Sequence, residues 1–132
     1  MKTEERKELF SRLERYVEAE VEKEEASYSK AYRESKWYQK ATINDAFPET
    51  MVRDILNLKD ALNNSEDLAS LESRFEGRAR EFGRSWWDED LHCYRTGYEW
   101  ETGVYVYLHN LVSEVTGNKL LTPDECYEGY GK

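Results

Sequence analysis

Only two prolines, Pro48 and Pro123, occur in the 132 residues, and the seven glycines are scattered. Proline removes a backbone donor and clashes with the preceding turn, and internal glycine weakens a helix, so two prolines and seven scattered glycines leave long uninterrupted stretches that suit helices. That points to an all-α fold and excludes collagen-like or linker-like classes. The length fits a single compact domain, residues 1–132. Such a domain buries about 68% of the surface its unfolded chain exposes and needs no disulfide or metal to hold a core. Leu, Val, Ile and Phe supply only 25 residues, a share typical of disordered chains at this charge, but ten Tyr and four Trp restore the missing burial.

Hydrophobic period places five or six helices. From Glu4, the residues Phe10, Leu13, Val17, Val21, Tyr28 and Tyr32 line one helical face, with a gap at Glu24 and Thr3 as N-cap. Read to Tyr38, this helix is about three times the usual length, which predicts a projecting arm or a kink near Ala26 to Ser29. Ala41 to Phe47 lacks period and reads as a loop. Pro48 fits a first helical turn, with Met51, Val52, Ile55, Leu58 and Leu62 following until Asn63-Asn64. Ser65 is placed as the cap of a third helix carrying Leu68, Leu71, Phe75, Ala79 and Phe82, with Gly83 closing it in a left-handed conformation.

Ser85 to Asp88 matches a capping pattern, so a short fourth helix is expected there with Trp87, Leu91 and Tyr94 inward and Trp86 outward. Gly97 to Gly103 reads as a turn region. Residues 104–108 look strand-like by propensity, yet Val104, Leu108, Leu111, Val112 and Val115 follow helical steps up to Gly117-Asn118, and period decides for helix. Thr122-Pro-Asp-Glu125 is a capping box that predicts a last helix to about Glu128.

The chemistry is constrained mostly by absence. There is no phosphate-binding Gly-rich loop, no Gly-x-Ser-x-Gly, no His-Glu-x-x-His and no Cys-x-x-Cys. His92, Cys93, His109 and Cys126 are enough in number for a zinc site, but adjacent helical residues project about 100° apart, so the spacing disfavours one. A Cys126–His109 nucleophile pair would need a proximity that the spacing does not supply, and Asp88 with His92, four apart, suits a surface ion pair. No catalytic residue, metal or cofactor is therefore expected. Cys93 and Cys126 read as free thiols of a reducing compartment. Residues 1–8 have no apolar run behind their charges and no window reaches the roughly 18 apolar residues of a membrane span, so a cytoplasmic location without membrane contact is expected.

Charge gives the strongest functional lead. Nineteen Lys and Arg face 28 Asp and Glu, a net −9 with a pI near 4.8, which repels polyanions and attracts basic partners. Glu14, Glu18, Glu22 and Glu25 share one face of the first helix over roughly 16 Å, a row that either is simply solvated or imitates a phosphate backbone. From Trp86 onward nine acids outnumber three bases, and Asp88, Glu89 and Asp90 lie beside Trp86. Trp86, Trp100 and Tyr105 are among the aromatics read as exceeding what one small core hides, and exposed Trp and Tyr are enriched in interfaces. One stretch has the opposite sign: Lys30, Arg33, Lys36 and Lys40 alternate with Tyr28, Tyr32, Trp37 and Tyr38, a pattern able to stack bases and track phosphates.

The first expectation is thus a non-enzymatic protein that occludes a basic, nucleic-acid-binding surface of a partner through Glu14, Glu18, Glu22, Glu25, Trp86, Asp88, Glu89, Asp90, Trp100 and Tyr105. Direct nucleic-acid or nucleoprotein binding through residues 28–40 is the alternative, and an enzyme with a His/Cys site the third. A homodimer is compatible with each. In size, acidity and absence of catalytic motif the chain resembles small phage or bacterial inhibitors of nucleases, such as anti-CRISPR or toxin-immunity proteins. That resemblance is one of profile and implies an inhibitory role.

Overall fold

Helices account for nearly all regular structure in the computed structural model, which describes residues 3–35, 37–64, 67–84, 86–88, 90–95 and 98–127, without the side chains of residues 3, 86–88 and 93–95. The fold is all-α. Seven helices are present among the described residues, and the backbone packs as two compact units, Met1–Glu66 and Asp67–Lys132.

In the first unit, α1 (Thr3–Ala26) packs against α3 (Ile43–Ala46) and α4 (Glu49–Asn63). Leu9, Leu13 and Val17 form the buried line of α1, while Phe10 is only half-buried, with the Lys59 ammonium 5.9 Å from its ring centroid. The apolar face is thus turned slightly from the predicted stripe. The predicted kink is a true break. Ser27 Oγ donates to the Glu24 carbonyl at 2.6 Å, ending α1, and Ser29 Oγ accepts from the Tyr32 amide at 3.1 Å, starting the single turn α2 (Lys30–Arg33). Serine side chains compete with helical backbone bonds in this way, which is why they favour helix ends.

The expected loop at residues 41–47 contains a helical turn. Thr42 and Asp45 form a capping box around α3, with the Thr42 amide 2.7 Å from Asp45 Oδ2, and Ala41 and Phe47 on either side are buried. One turn is too short to produce a visible apolar period. Helix α4 starts after Pro48 and buries Met51, Val52, Ile55, Leu58 and Leu62 as predicted. Arg6 Nη1 donates to the Ala61 carbonyl at 2.6 Å, satisfying one of the last carbonyls that the end of α4 leaves without a helical partner.

The second unit is built on α5 (Ala69–Gly83) and α6 (Glu99–Thr116), with α7 (Pro123–Cys126) packed on both. Ser65 lies outside the described residues, and the start of α5 is held instead by Asp67 Oδ1, which accepts from the Ala69 amide at 3.0 Å. Gly83 does not close α5 in a left-handed conformation, since Gly117 is the only described glycine with positive φ. Its role is close approach: a Cβ there would lie 2.7 Å from both the Cys126 carbonyl carbon and Cβ. The helix expected from Ser85 is absent. β1 (Trp86–Asp88) and β2 (Cys93–Arg95) form an antiparallel hairpin in the register Trp86↔Arg95, Trp87↔Tyr94 and Asp88↔Cys93. Leu91, expected inside, is 62% exposed in the connecting turn, where His92 takes φ 51°. Neither the helical Asp88–His92 pair nor the helical assignment of the two tryptophans survives this reversal.

Helix α6 begins at Glu99, inside the expected turn region. Thr102 Oγ1 bonds the Tyr98 carbonyl at 2.8 Å, and Glu99 and Glu101 suit the positive end of the helix dipole. From there the helical reading of residues 104–115 is correct. Buried residues surround much of the helix, from Thr102 and Val104 to Val112 and Ser113, and Gly117 at φ 81° stops it. Thr122 caps α7, its Oγ1 accepting from the Glu125 amide at 3.3 Å, but the Glu125 carboxylate meets the Thr122 hydroxyl at 3.1 Å rather than closing a full capping box, and α7 ends at Cys126. No helix among the described residues is long and apolar enough to cross a membrane.

Candidate functional site

The acidic row of α1 forms as a continuous surface because the helix runs unbroken to Ala26, so Glu14, Glu18, Glu22 and Glu25 recur along one side. Glu18 and Glu22 are exposed, Glu14 and Glu25 half-buried. Among the described residues, the Glu14, Glu18 and Glu22 carboxylates make no ion pair or hydrogen bond. Glu20 takes Lys23 at 3.3 Å. Glu25 accepts the Tyr38 hydroxyl. The row also ends on the wrong side of the helix dipole: Glu24 and Glu25 sit in the last turn, where each negative charge costs about 0.3 to 1 kcal/mol when exposed. A cation docking there relieves that cost together with the mutual repulsion of the row.

Beyond the break, Tyr28, Tyr32 and Tyr38 pack edge to face, with centroids 5.2, 5.9 and 6.3 Å apart. The hydrogen bond to Glu25, then burial and the Glu25 charge, push the Tyr38 phenol up to about 12. Burial and the charges of Asp45, Tyr32 and Glu24 also raise Tyr28. Glu22, Glu25, Ala26 and Arg33 line a shallow hollow beside this cluster. Trp37, next to Tyr38 in the chain, is 84% exposed. This tryptophan was legible in the sequence only as part of the basic stretch, not as the most exposed large apolar side chain among the described residues.

The second predicted cluster is only partly described. Trp86 and Asp88 belong to β1, but their side chains, and all of Glu89, lie outside the described residues. Asp90 is exposed in the hairpin turn and Trp100 is exposed in the first turn of α6. Tyr105 is a correction: it is 1% exposed, stacked at 5.8 Å and 11° on Phe82 and 6.2 Å from Phe75, with the Arg78 guanidinium 6.0 Å from its ring. A ring enclosed in this way is core, not interface. Acidic neighbours made it look superficial in the sequence, whereas its position one residue after Val104 on a helix buried over most of its circumference decides its place.

Sequence reasoning missed the polar chain between α5 and α6. Glu72, 7% exposed, accepts from Ser113 Oγ and Thr116 Oγ1 on one oxygen and from Asn118 Nδ2 on the other, each at 2.6 Å. Burial alone would raise this carboxyl, but the three donors and the nearby His109 outweigh it and hold it below the ordinary value. His109 is buried, with Nδ1 2.9 Å from Asn110 Oδ1 and 3.4 Å from Ser113 Oγ, and Nε2 3.7 Å from Glu76. Asn110 in turn brackets the backbone of Leu121, donating to its carbonyl at 2.8 Å and accepting from its amide at 2.7 Å. The signal for this network is Glu72 itself, an acid four residues after Leu68 and three before Phe75, on the core stripe.

The candidate nucleophiles and metal ligands named from the sequence are not brought together among the described residues. Ser113 is enclosed and its hydroxyl is committed to Glu72, so a substrate cannot reach it as a nucleophile. The Cys126 thiol is fully buried and directed at the Thr122 carbonyl, 3.6 Å away. His92 is exposed while His109 is buried, the Cys93 side chain is outside the described residues, and no described group of three His, Cys, Asp or Glu could hold a metal ion. Comparison with protein-family models, curated proteins and solved structures finds no match to the chain.

Proposed function

We propose that this chain is a non-enzymatic binding protein that occludes a basic, nucleic-acid-binding surface of a partner protein, as a small inhibitor or immunity protein does. The observation that carries the reading is the row on α1: Glu14, Glu18 and Glu22 have no partner among the described residues, and the row ends where the helix dipole opposes it. Such charges attract a cationic surface, steer its approach and gain most from contact with it. The net charge of −9 adds to that steering. The enclosure of Ser113, His109 and Cys126 supports the non-enzymatic part of the reading. Its first test is salt dependence. Affinity for the partner falls steeply between about 0.05 and 0.5 M salt, since attraction between exposed charges is screened over that range. Binding that is insensitive to salt would contradict the reading.

A further inference from the structure

We propose that the first unit also carries a binding site for single-stranded nucleic acid, formed by Trp37, Tyr32, Arg33, Lys30 and Lys40 and adjoining the end of the acidic row, where Arg33 lines a hollow with Glu22 and Glu25. Two aromatic side chains face solvent there: Trp37 is 84% exposed and Tyr32 47%. Local bonds tie the backbone and rings around them. The Ser35 turn holds the backbone through Trp37 N to Ser35 Oγ and Tyr38 N to the Ser35 carbonyl, each at 3.1 Å. The Tyr38 ring is fixed by Tyr28, by Tyr32 at 5.9 Å and by its hydroxyl bond to Glu25. Base stacking on an exposed aromatic side chain is a recurring device for holding single strands.

The cations flank these aromatic residues along the chain. Arg33 and Lys40 are exposed and pair with no described carboxylate, and Lys30 meets only Glu34, loosely, at 3.9 Å. Four bases against one acid between Tyr28 and Lys40 invert the sign of the rest of the chain locally. At about 0.1 M salt the screening length is near 10 Å, so phosphates at this stretch feel these cations together with the Glu22 and Glu25 carboxylates that share the Arg33 hollow, which is why neutralising the row should tighten a bound strand. A duplex keeps its bases stacked inward, which leaves an unpaired strand as the occupant able to use both the rings and the charges.

The test is fluorescence anisotropy of a labelled oligothymidine of about twelve nucleotides titrated with the full chain at about 0.1 M salt. Trp37→Ala is expected to weaken binding about tenfold, with an unchanged far-ultraviolet circular dichroism spectrum, because its side chain is in solvent. Arg33→Ala with Lys40→Ala should also weaken it and reduce the slope of log affinity against log salt by about 1.4, at roughly 0.7 for each phosphate that is no longer neutralised. Glu18→Gln with Glu22→Gln should tighten the oligonucleotide while weakening a basic protein partner, so the two sites are told apart by opposite signs. Four results would overturn the proposal: no binding, an unaffected Trp37→Ala, an abasic strand of equal length binding equally well, or an oligoglutamate peptide doing so, the last pointing to an acidic protein instead.

Discussion

Replacing Glu72 with Gln keeps the shape of the side chain but removes the charge on which Ser113, Thr116 and Asn118 converge at 2.6 Å. Hydrogen bonds to a charged acceptor are worth roughly 1.5 to 3 kcal/mol against 0.5 to 1.5 for neutral ones, so three of them favour the carboxylate by about 3 kcal/mol. Part of that is offset, because the amide is cheaper to bury than the ion. The net loss for Glu72→Gln at pH 7 should be about 2 kcal/mol, which moves a urea midpoint by about 1 M. The pH dependence has a definite sign. The carboxyl is held below its ordinary 4.5 in the folded chain, so its contribution is complete above that value and disappears as pH falls through the lower folded value. Urea unfolding of both proteins from pH 7 down to about 3 should show a gap that closes with acid. Equal stability at pH 7, or a gap that stays constant to pH 3, would refute the reasoning.

Gly83→Ala should destabilise by about 1 to 3 kcal/mol in the same assay, because the added methyl meets the Cys126 backbone rather than a flexible side-chain end. Gly117→Ala should cost about 1 to 2 kcal/mol for a different reason, the left-handed φ of 81°. In a spectrophotometric titration, the difference between the protein and its Tyr38→Phe variant should be a phenol with a midpoint near 12. A phenol raised in the folded chain stabilises it fully below pH 10 and stops doing so as pH rises through about 12, and a difference midpoint at 10 would contradict the Tyr38–Glu25 bond.

Where one physical rule dominated a segment, the sequence was sufficient. Pro48 and the step of Met51, Ile55, Leu58 and Leu62 define α4, and at Val104 to Leu108 the helical steps that continue through Leu111, Val112 and Val115 to the Gly117 stop outweighed strand propensity. The failures share a cause: short elements have no period to read. The α3 turn is set by the Thr42–Asp45 box, and the hairpin at Trp86 to Arg95 by a reversal through His92, a residue that advertises no turn. Gly83 illustrates an ambiguity of residue type, since glycine serves positive φ and close packing alike and only the neighbouring Cys126 decides between them. For the candidate site, the carboxylate row was legible because its spacing alone defines it. The exposure of Trp37 and the burial of Tyr105 were not, because both aromatics lie among charged neighbours and only packing distinguishes them.

The central claim is that α1 engages a basic partner through its carboxylate row, and neutralising that row without disturbing the fold tests it most directly. Glu18 and Glu22 are exposed, so Glu18→Gln with Glu22→Gln should leave melting nearly unchanged. Exposed ion pairs are worth about 0.2 to 1 kcal/mol each, so removing two should weaken partner binding about two- to thirtyfold, measured by quantitative affinity capture at about 0.1 M salt with the bound proteins identified by mass spectrometry. The account predicts that proteins with basic surfaces are retained by the unaltered chain and depleted from the variant. The same partner retained equally by both would contradict it.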